Sequence, residues 1–186
     1  MRRLMRNFYF SISLLCNWPV FFLKRVKVGR GNRLERGLVI SKSTIGNYNY
    51  LGHGCILDKV QVGSYCSIAA HVQIGGAEHP MTMPSTSFRL FPQGEKQWTI
   101  IEDDVWIGAK VVIRSGVKVG RGAVIGSGAI VLEDIPSYAI AVGMPAKIIR
   151  YRFDQGKIDK LAKTNYWELS PEDALKVLKD KGMLNG

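Results

Sequence analysis

Of the three histidines in the chain, His53, His71 and His79, the last stands in Gly75-Gly76-Ala77-Glu78-His79-Pro80, the opening of a stretch rich in Gly, Pro and aromatic residues. Pro80 biases His79 toward extended backbone. Imidazole titrates near neutrality, so it is well suited to take the proton of a hydroxyl that attacks an electrophilic carbon. His79 is therefore the candidate general base, and Glu78 beside it and Asp58 upstream are the candidates to orient its ring. A loop His making a structural hydrogen bond is the competing reading. Cys16, Cys55 and Cys66 are odd in number and lack a CxxC pair, which predicts neither a disulfide framework nor a thiolate metal site.

The elements that must position His79 are legible as a repeat. Aliphatic residues recur at a stride of six: Ile101, Ile107, Ile113, Val119, Ile125 and Val131. Ile, Leu and Val make up about a quarter of ordinary chains, so six in one register by chance is on the order of one in several thousand. The fifth slot of each unit is small or branched (Val105, Val111, Val117, Ala123, Ala129), and Gly108, Gly120 and Gly126 fill the second. Upstream the frame runs Val28, Leu34, Ile40, then Ile45, Leu51, Leu57, then Val62, Ile68, Ile74, and every third step shortens to five. A period that resets after three units predicts coils of three short strands, a triangular prism with stacked inward residues. Cys55 and Cys66 fall in the small fifth slot and read as core filler.

This predicts an all-β solenoid, a parallel β-helix over 28–150 interrupted by an inserted active-site loop at about 75–100. Residues 151–186 read as a C-terminal helical extension: a short helix over Phe153 to Lys163, then one capped by Ser170-Pro171-Glu172-Asp173. These helices are expected to cover the exposed end of the prism. Twenty Gly, well above the usual ~7%, suit many tight turns.

The net charge of +11 is concentrated at the start of the chain. Residues 1–36 carry nine cations against Glu35 alone, and the run Phe8 to Leu23 between them is apolar. Apolar residues between the charges argue against a nucleic-acid arm and favour a membrane surface or another subunit. Broken by Asn17 and Pro19, the 16-residue run is short of the ~20 needed to span a bilayer. Segment 1–27 is thus expected to act as a cap or a membrane-surface anchor. Lys24-Arg25 closes the run with no small-residue cleavage site, so the expected location is cytoplasmic, at the inner face of the membrane.

Three segments carry a resemblance: Gly75 to Pro80 with Ser85-Thr86-Ser87; Ile101-Glu102-Asp103-Asp104-Val105-Trp106-Ile107-Gly108-Ala109; and Asp134-Ile135-Pro136-Ser137-Tyr138 with Val142-Gly143-Met144-Pro145-Ala146-Lys147. Over about residues 40–178 the chain resembles the hexapeptide-repeat acetyltransferases of left-handed β-helix fold. The nearer branch includes chloramphenicol and streptogramin acetyltransferases and polysaccharide O-acetyltransferases. The resemblance implies acetyl-CoA as co-substrate, no metal, a homotrimer with sites at subunit clefts, and His79 as catalytic base. It places Trp106 beside the pantetheine arm, Gly108, Ala109, Ser127 and Gly128 at positions that offer backbone groups to the cofactor, and Lys147 and Arg150 near the CoA phosphates. Relatives often carry Lys where this chain has Glu133, so one cationic contact is missing. His53 sits about where sugar-acetylating relatives bind the acceptor, and His71 reads as a structural corner residue.

The expected reaction is acetylation of a hydroxyl on a sugar or surface-glycan precursor. An antibiotic hydroxyl is the alternative. A zinc hydrase on the same prism, using His53, His71 and His79, is a minor rival whose usual close His pair this spacing does not reproduce. The last alternative is a membrane-docking module without transferase chemistry.

Overall fold

The structure, a computed structural model, describes residues 22–92 and 97–183. The expected anchor lies mostly in residues 1–21, outside the described residues. From residue 22 onward the chain winds into a left-handed parallel β-helix, the coil that the six-residue stride predicts with the hand that the resemblance implies.

Each hexapeptide contributes two or three residues of strand, and strands one full turn apart pair in parallel. The first face holds Phe22–Lys24, Val39–Ser41, Ile56–Asp58, Gln73–Gly75, Val112–Ile113 and Ile130–Val131. Lys27–Val28, Thr44–Ile45, Val60–Val62, Thr99–Ile101 and Lys118–Val119 form the second. The third holds Arg33–Leu34, Tyr50–Leu51, Ser67–Ile68, Trp106–Ile107, Val124–Ile125, Ala139–Val142 and Lys147–Tyr151. Register follows the sequence period. Ile40 pairs with Leu57 and Leu57 with Ile74, 17 residues apart, whereas Ile101 pairs with Val119 and Ile107 with Ile125, 18 apart.

Alternation within each short strand sends one residue inward, and Ile40, Leu51, Leu57, Ile68, Ile74, Ile107, Ile113 and Val119 are all but fully buried. The small fifth slots turn the corners and are buried too, Cys55, Cys66, Val72, Val105, Ala123 and Ala129 among them. Nearly every corner puts a residue in the left-handed region. Gly54, Gly122 and Gly128 take it freely, while Lys42, Lys59, Tyr65, His71, Asp104 and Tyr138 adopt it at a cost of about 1–2 kcal/mol each. His71 is such a corner residue, as expected. Buried Asn49 completes the ladder from inside a corner, donating to the Gly63 carbonyl and accepting from the Cys66 N–H.

The C-terminal elements form as expected but are placed differently. Helix α1 (Gln155–Ala162) starts on Asp154, whose side chain accepts from Lys157 N, and helix α2 (Pro171–Asp180) starts on Ser170, whose hydroxyl accepts from Asp173 N. Rather than closing the prism end, they lie along the corner between the second and third faces. There Tyr65, Asp104, Gly122 and Tyr138 stand at successive turns. Tyr65 donates its hydroxyl to the Leu169 carbonyl at 2.8 Å, Arg121 lies 3.6 Å over the Trp167 ring, and Arg152 reaches Asp104 at 3.1 Å and the Gly122 carbonyl at 2.7 Å. The corner presents aromatic side chains outward, and Tyr166 and Trp167 bury themselves against them. The far edge of the third face is closed instead by Lys147–Tyr151, which returns antiparallel to Ala139–Val142. Among the described residues no helix is long and apolar enough to cross a membrane.

If the stacked inward file is the main source of stability, Ile68→Ala should lower the unfolding free energy by about 2–5 kcal/mol in denaturant titrations. A loss below about 1 kcal/mol would be inconsistent with a dry, close-packed stack.

Candidate active site

The loop leaves the prism at one corner, between the first and second faces, and the prism continues beneath it without a gap. Gln73–Gly75 pairs onward with Val112–Ile113, and Thr99–Ile101 pairs directly with Val60–Val62. The insertion, about one and a half coils long in sequence, is thus an excursion from a single corner. Gly75 is required at its exit, because it has φ +75° and a Cβ there would run into the Asp58 carbonyl. Its return is anchored by Ser115, which donates to the Gln97 carbonyl at 3.2 Å, and by buried Thr99, whose hydroxyl accepts from Gly116 N at 3.1 Å.

Inside the loop His79 is exposed, and its Nδ1 lies 2.7 Å from the Thr86 carbonyl oxygen. A carbonyl can only accept, so Nδ1 carries the hydrogen and a neutral ring keeps its lone pair on Nε2. The sequence offered Glu78 and Asp58 to orient this ring, and what the structure places on Nδ1 is a main-chain oxygen. Glu78 is exposed, and Asp58 Oδ1 accepts from Ser41 Oγ at 2.5 Å. Thr86 belongs to the Ser85-Thr86-Ser87 segment, but nothing in a residue's type announces where its carbonyl will point.

The expected cofactor residues gather elsewhere, on the third face and the corner between it and the first. Trp106, 57% exposed, pairs with Val124, Val124 with Ile140, and Ile140 with Arg150. These four form one outward file across adjacent strands, spanning roughly 14 Å. A flat apolar ring begins it and a guanidinium ends it, with Lys147 on the same return strand opposite Val142. Beside the file Gly108 passes so close to the next turn that a Cβ would meet the Ser127 backbone, and Gly128 N donates to the Ala109 carbonyl at 2.8 Å. His53 stands on this same corner two turns earlier, exposed, with its ring packed edge-on to His71 at 4.7 Å between centroids.

A triangular prism sets the corner from which the loop departs opposite the third face. Trp106, Gly108, Ala109, Ser127, Gly128, Lys147, Arg150 and His53 thus share one side of the prism, and the loop that carries His79 leaves from the other. Among the described residues no group of three or more His, Cys, Asp and Glu side chains is arranged to hold a metal ion. Both described cysteines are core. Burial pushes the Cys66 thiol up to about 12 and raises that of Cys55, so neither supplies a thiolate near neutrality.

Comparison with known proteins says which family builds this three-sided β-helix with its inserted histidine loop. Residues 99–133 match the family model for the bacterial transferase hexapeptide (six repeats). The chain is 38% identical over 120 residues to a chloramphenicol acetyltransferase of Escherichia coli, covering 56% of this chain and 57% of that one. It is 36% identical over 124 residues to a probable macrolide acetyltransferase of Lysinibacillus sphaericus, covering 59% and 69%. A galactoside acetyltransferase solved in complex with coenzyme A is 31% identical, with a TM-score of 0.63 over 70% of this chain and 67% of that one. The chain belongs to the hexapeptide-repeat acetyltransferases. It spans about a third to just over half the length of the chloramphenicol acetyltransferases it matches.

Iodoacetamide at mildly alkaline pH should leave Cys55 and Cys66 unmodified in the folded protein and alkylate both after unfolding, as read by peptide mass spectrometry. Rapid labelling of either in the folded state would contradict the burial of both thiols in the stack.

Proposed function

We propose that this protein transfers the acetyl group of acetyl-CoA to a hydroxyl of a sugar or glycan precursor, with His79 as general base. The observation that carries the reading is the pinning of His79 Nδ1 by the Thr86 carbonyl, which leaves Nε2 as the proton acceptor on an exposed loop. Nε2 removes the acceptor's hydroxyl proton as its oxygen forms a bond to the thioester carbonyl carbon. The tetrahedral oxyanion then collapses, the C–S bond breaks, and the departing CoA thiolate takes the proton back from the imidazolium.

The Trp106–Val124–Ile140–Arg150 file suits an elongated co-substrate, its apolar arm toward Trp106 and its phosphates toward Arg150 and Lys147. Because the His79 loop departs from the corner opposite that file, the complete site takes its loop and its file from two copies. A closed homotrimer, in which each loop reaches the neighbour's third face, meets the requirement. The fold shared with the galactoside acetyltransferase supports a sugar acceptor. Acetylation of an antibiotic hydroxyl is the second reading, favoured by the similarity to chloramphenicol and probable macrolide acetyltransferases. Turnover screened against nucleotide sugars, oligosaccharides, chloramphenicol and a macrolide separates the two.

His79→Ala should reduce turnover at least about 10²-fold while CoA affinity and assembly survive. Retention of more than about a tenth of wild-type activity, far above that loss, would place the base elsewhere, with His53 next to test. The shared site has its own check: His79→Ala chains coassembled with Trp106→Ala/Arg150→Ala chains should recover activity at about a quarter of the sites in a random 1:1 mixture. A mixed assembly that stays inactive would put both halves of the site on one subunit.

A further inference from the structure

The first turn of the prism is encircled by positive charge. Arg25 stands at the corner between the first and second faces, Lys27 on the second face, Arg30 at the next corner, Arg33 on the third face and Arg36 at the corner beyond, all exposed. Against these five cations the turn, residues 25–41, holds Glu35 alone, which pairs with Arg33 at 2.8 Å, a net of +4. The following turn, residues 42–58, carries Lys42 and Asp58 and is neutral, and residues 99–116 are net negative through Glu102, Asp103 and Asp104 against Lys110 and Arg114. Arg30 and Arg33 rest over the rings of Tyr48 and Tyr50, at 5.6 and 5.7 Å, which hold the guanidinium groups outside the fold without cancelling their charge. Among the described residues this turn carries the outermost strands of the second and third sheets, and Val26, Val28 and Leu34 are only half-buried there against the core.

We infer that this end of the prism docks on an anionic lipid surface, so that the β-helix stands on the bilayer with its first turn down. Cations contribute most to lipid binding when they lie within a Debye length of the anionic headgroups, and a complete ring at one end satisfies this on every side at once. The sequence that leads into the ring is the apolar run Phe8–Leu23, flanked upstream by Arg2, Arg3 and Arg6. An apolar stretch too short to span, joined to basic clusters, is the composition that binds an interface by combining apolar burial with charge attraction. A nucleic acid would use the ring but would gain nothing from the apolar run.

The test uses the full chain and phosphatidylcholine vesicles with and without about 30 mol% phosphatidylglycerol. Partitioning should require the anionic lipid and weaken as salt rises. The variant Arg25→Gln/Lys27→Gln/Arg30→Gln/Arg33→Gln/Arg36→Gln should lose at least about tenfold in partitioning. A variant that loses equal charge on the C-terminal helices and their loops, Lys160→Gln/Lys163→Gln/Lys176→Gln/Lys179→Gln/Lys181→Gln, should keep nearly all of it. If the fivefold ring variant does not fold, Lys27→Glu and Arg36→Glu singly must each weaken binding more than Lys179→Glu does. Equal losses in the paired variants, binding indifferent to the ring, or tighter binding to duplex nucleic acid than to vesicles would each overturn the inference. The ring lies away from Trp106 and His79, so acetyl-CoA binding should be unchanged in the ring variant, and failure of docking leaves the transfer reading standing.

Discussion

Everything in this molecule depends on one turn of chain closing its backbone hydrogen bonds onto the turns on either side of it. Because strands of two or three residues have few bonds of their own, register has to be held by the inward aliphatic stack and by the corners. A slip of one residue would turn Ile40, Leu57 and Ile74 out and their neighbours in. The 17-residue and 18-residue turns therefore reflect directly the six-six-five and six-six-six spacing of the inward residues.

That rigidity is what makes a single long loop useful. The ladder under the insertion is unbroken from Val60–Val62 to Thr99–Ile101, so the loop adds no strain to the stack and is free to be shaped by its ends and its own contacts. Gly75 opens it, Thr99 and Ser115 fasten its return, and the bond between His79 and Thr86 fixes one ring within it. On the opposite side, the flat third face turns four positions separated by sequence into one straight file. A prism with three sides sets the root of the loop opposite that file.

Charge is distributed along the same axis. Cations crowd the first turn, carboxylates occupy a corner in the middle, and Arg121 and Arg152 tie that acidic corner to the C-terminal elements. Glu102 sits in this region. Burial would raise its carboxyl, but the hydrogen bond from Lys118 and the Arg121 N–H outweigh this and hold it below the usual carboxylate range. Its support is thus present above the ordinary carboxylate range and is lost as acid protonates it.

The prism, its stride, the burial of Cys55 and Cys66, the corner position of His71 and the site of the insertion were legible in the amino-acid order, because a solenoid repeats one local rule and each residue's fate follows from its slot. The capped helices were legible too, through Ser170 and Pro171. Their location was not, since it rests on Tyr65 meeting Tyr166 and Leu169, Arg121 meeting Trp167 and Arg152 meeting Asp104, partners as much as 104 residues apart. Nor could sequence single out Thr86 rather than Glu78 or Asp58 as the partner of His79, because the partner is a main-chain oxygen, which every residue has. That Trp106 and Arg150 share a file, and that the His79 loop departs from the opposite corner, emerged only from the fold, because adjacency between strands and sidedness around a prism are set by pairing between distant turns.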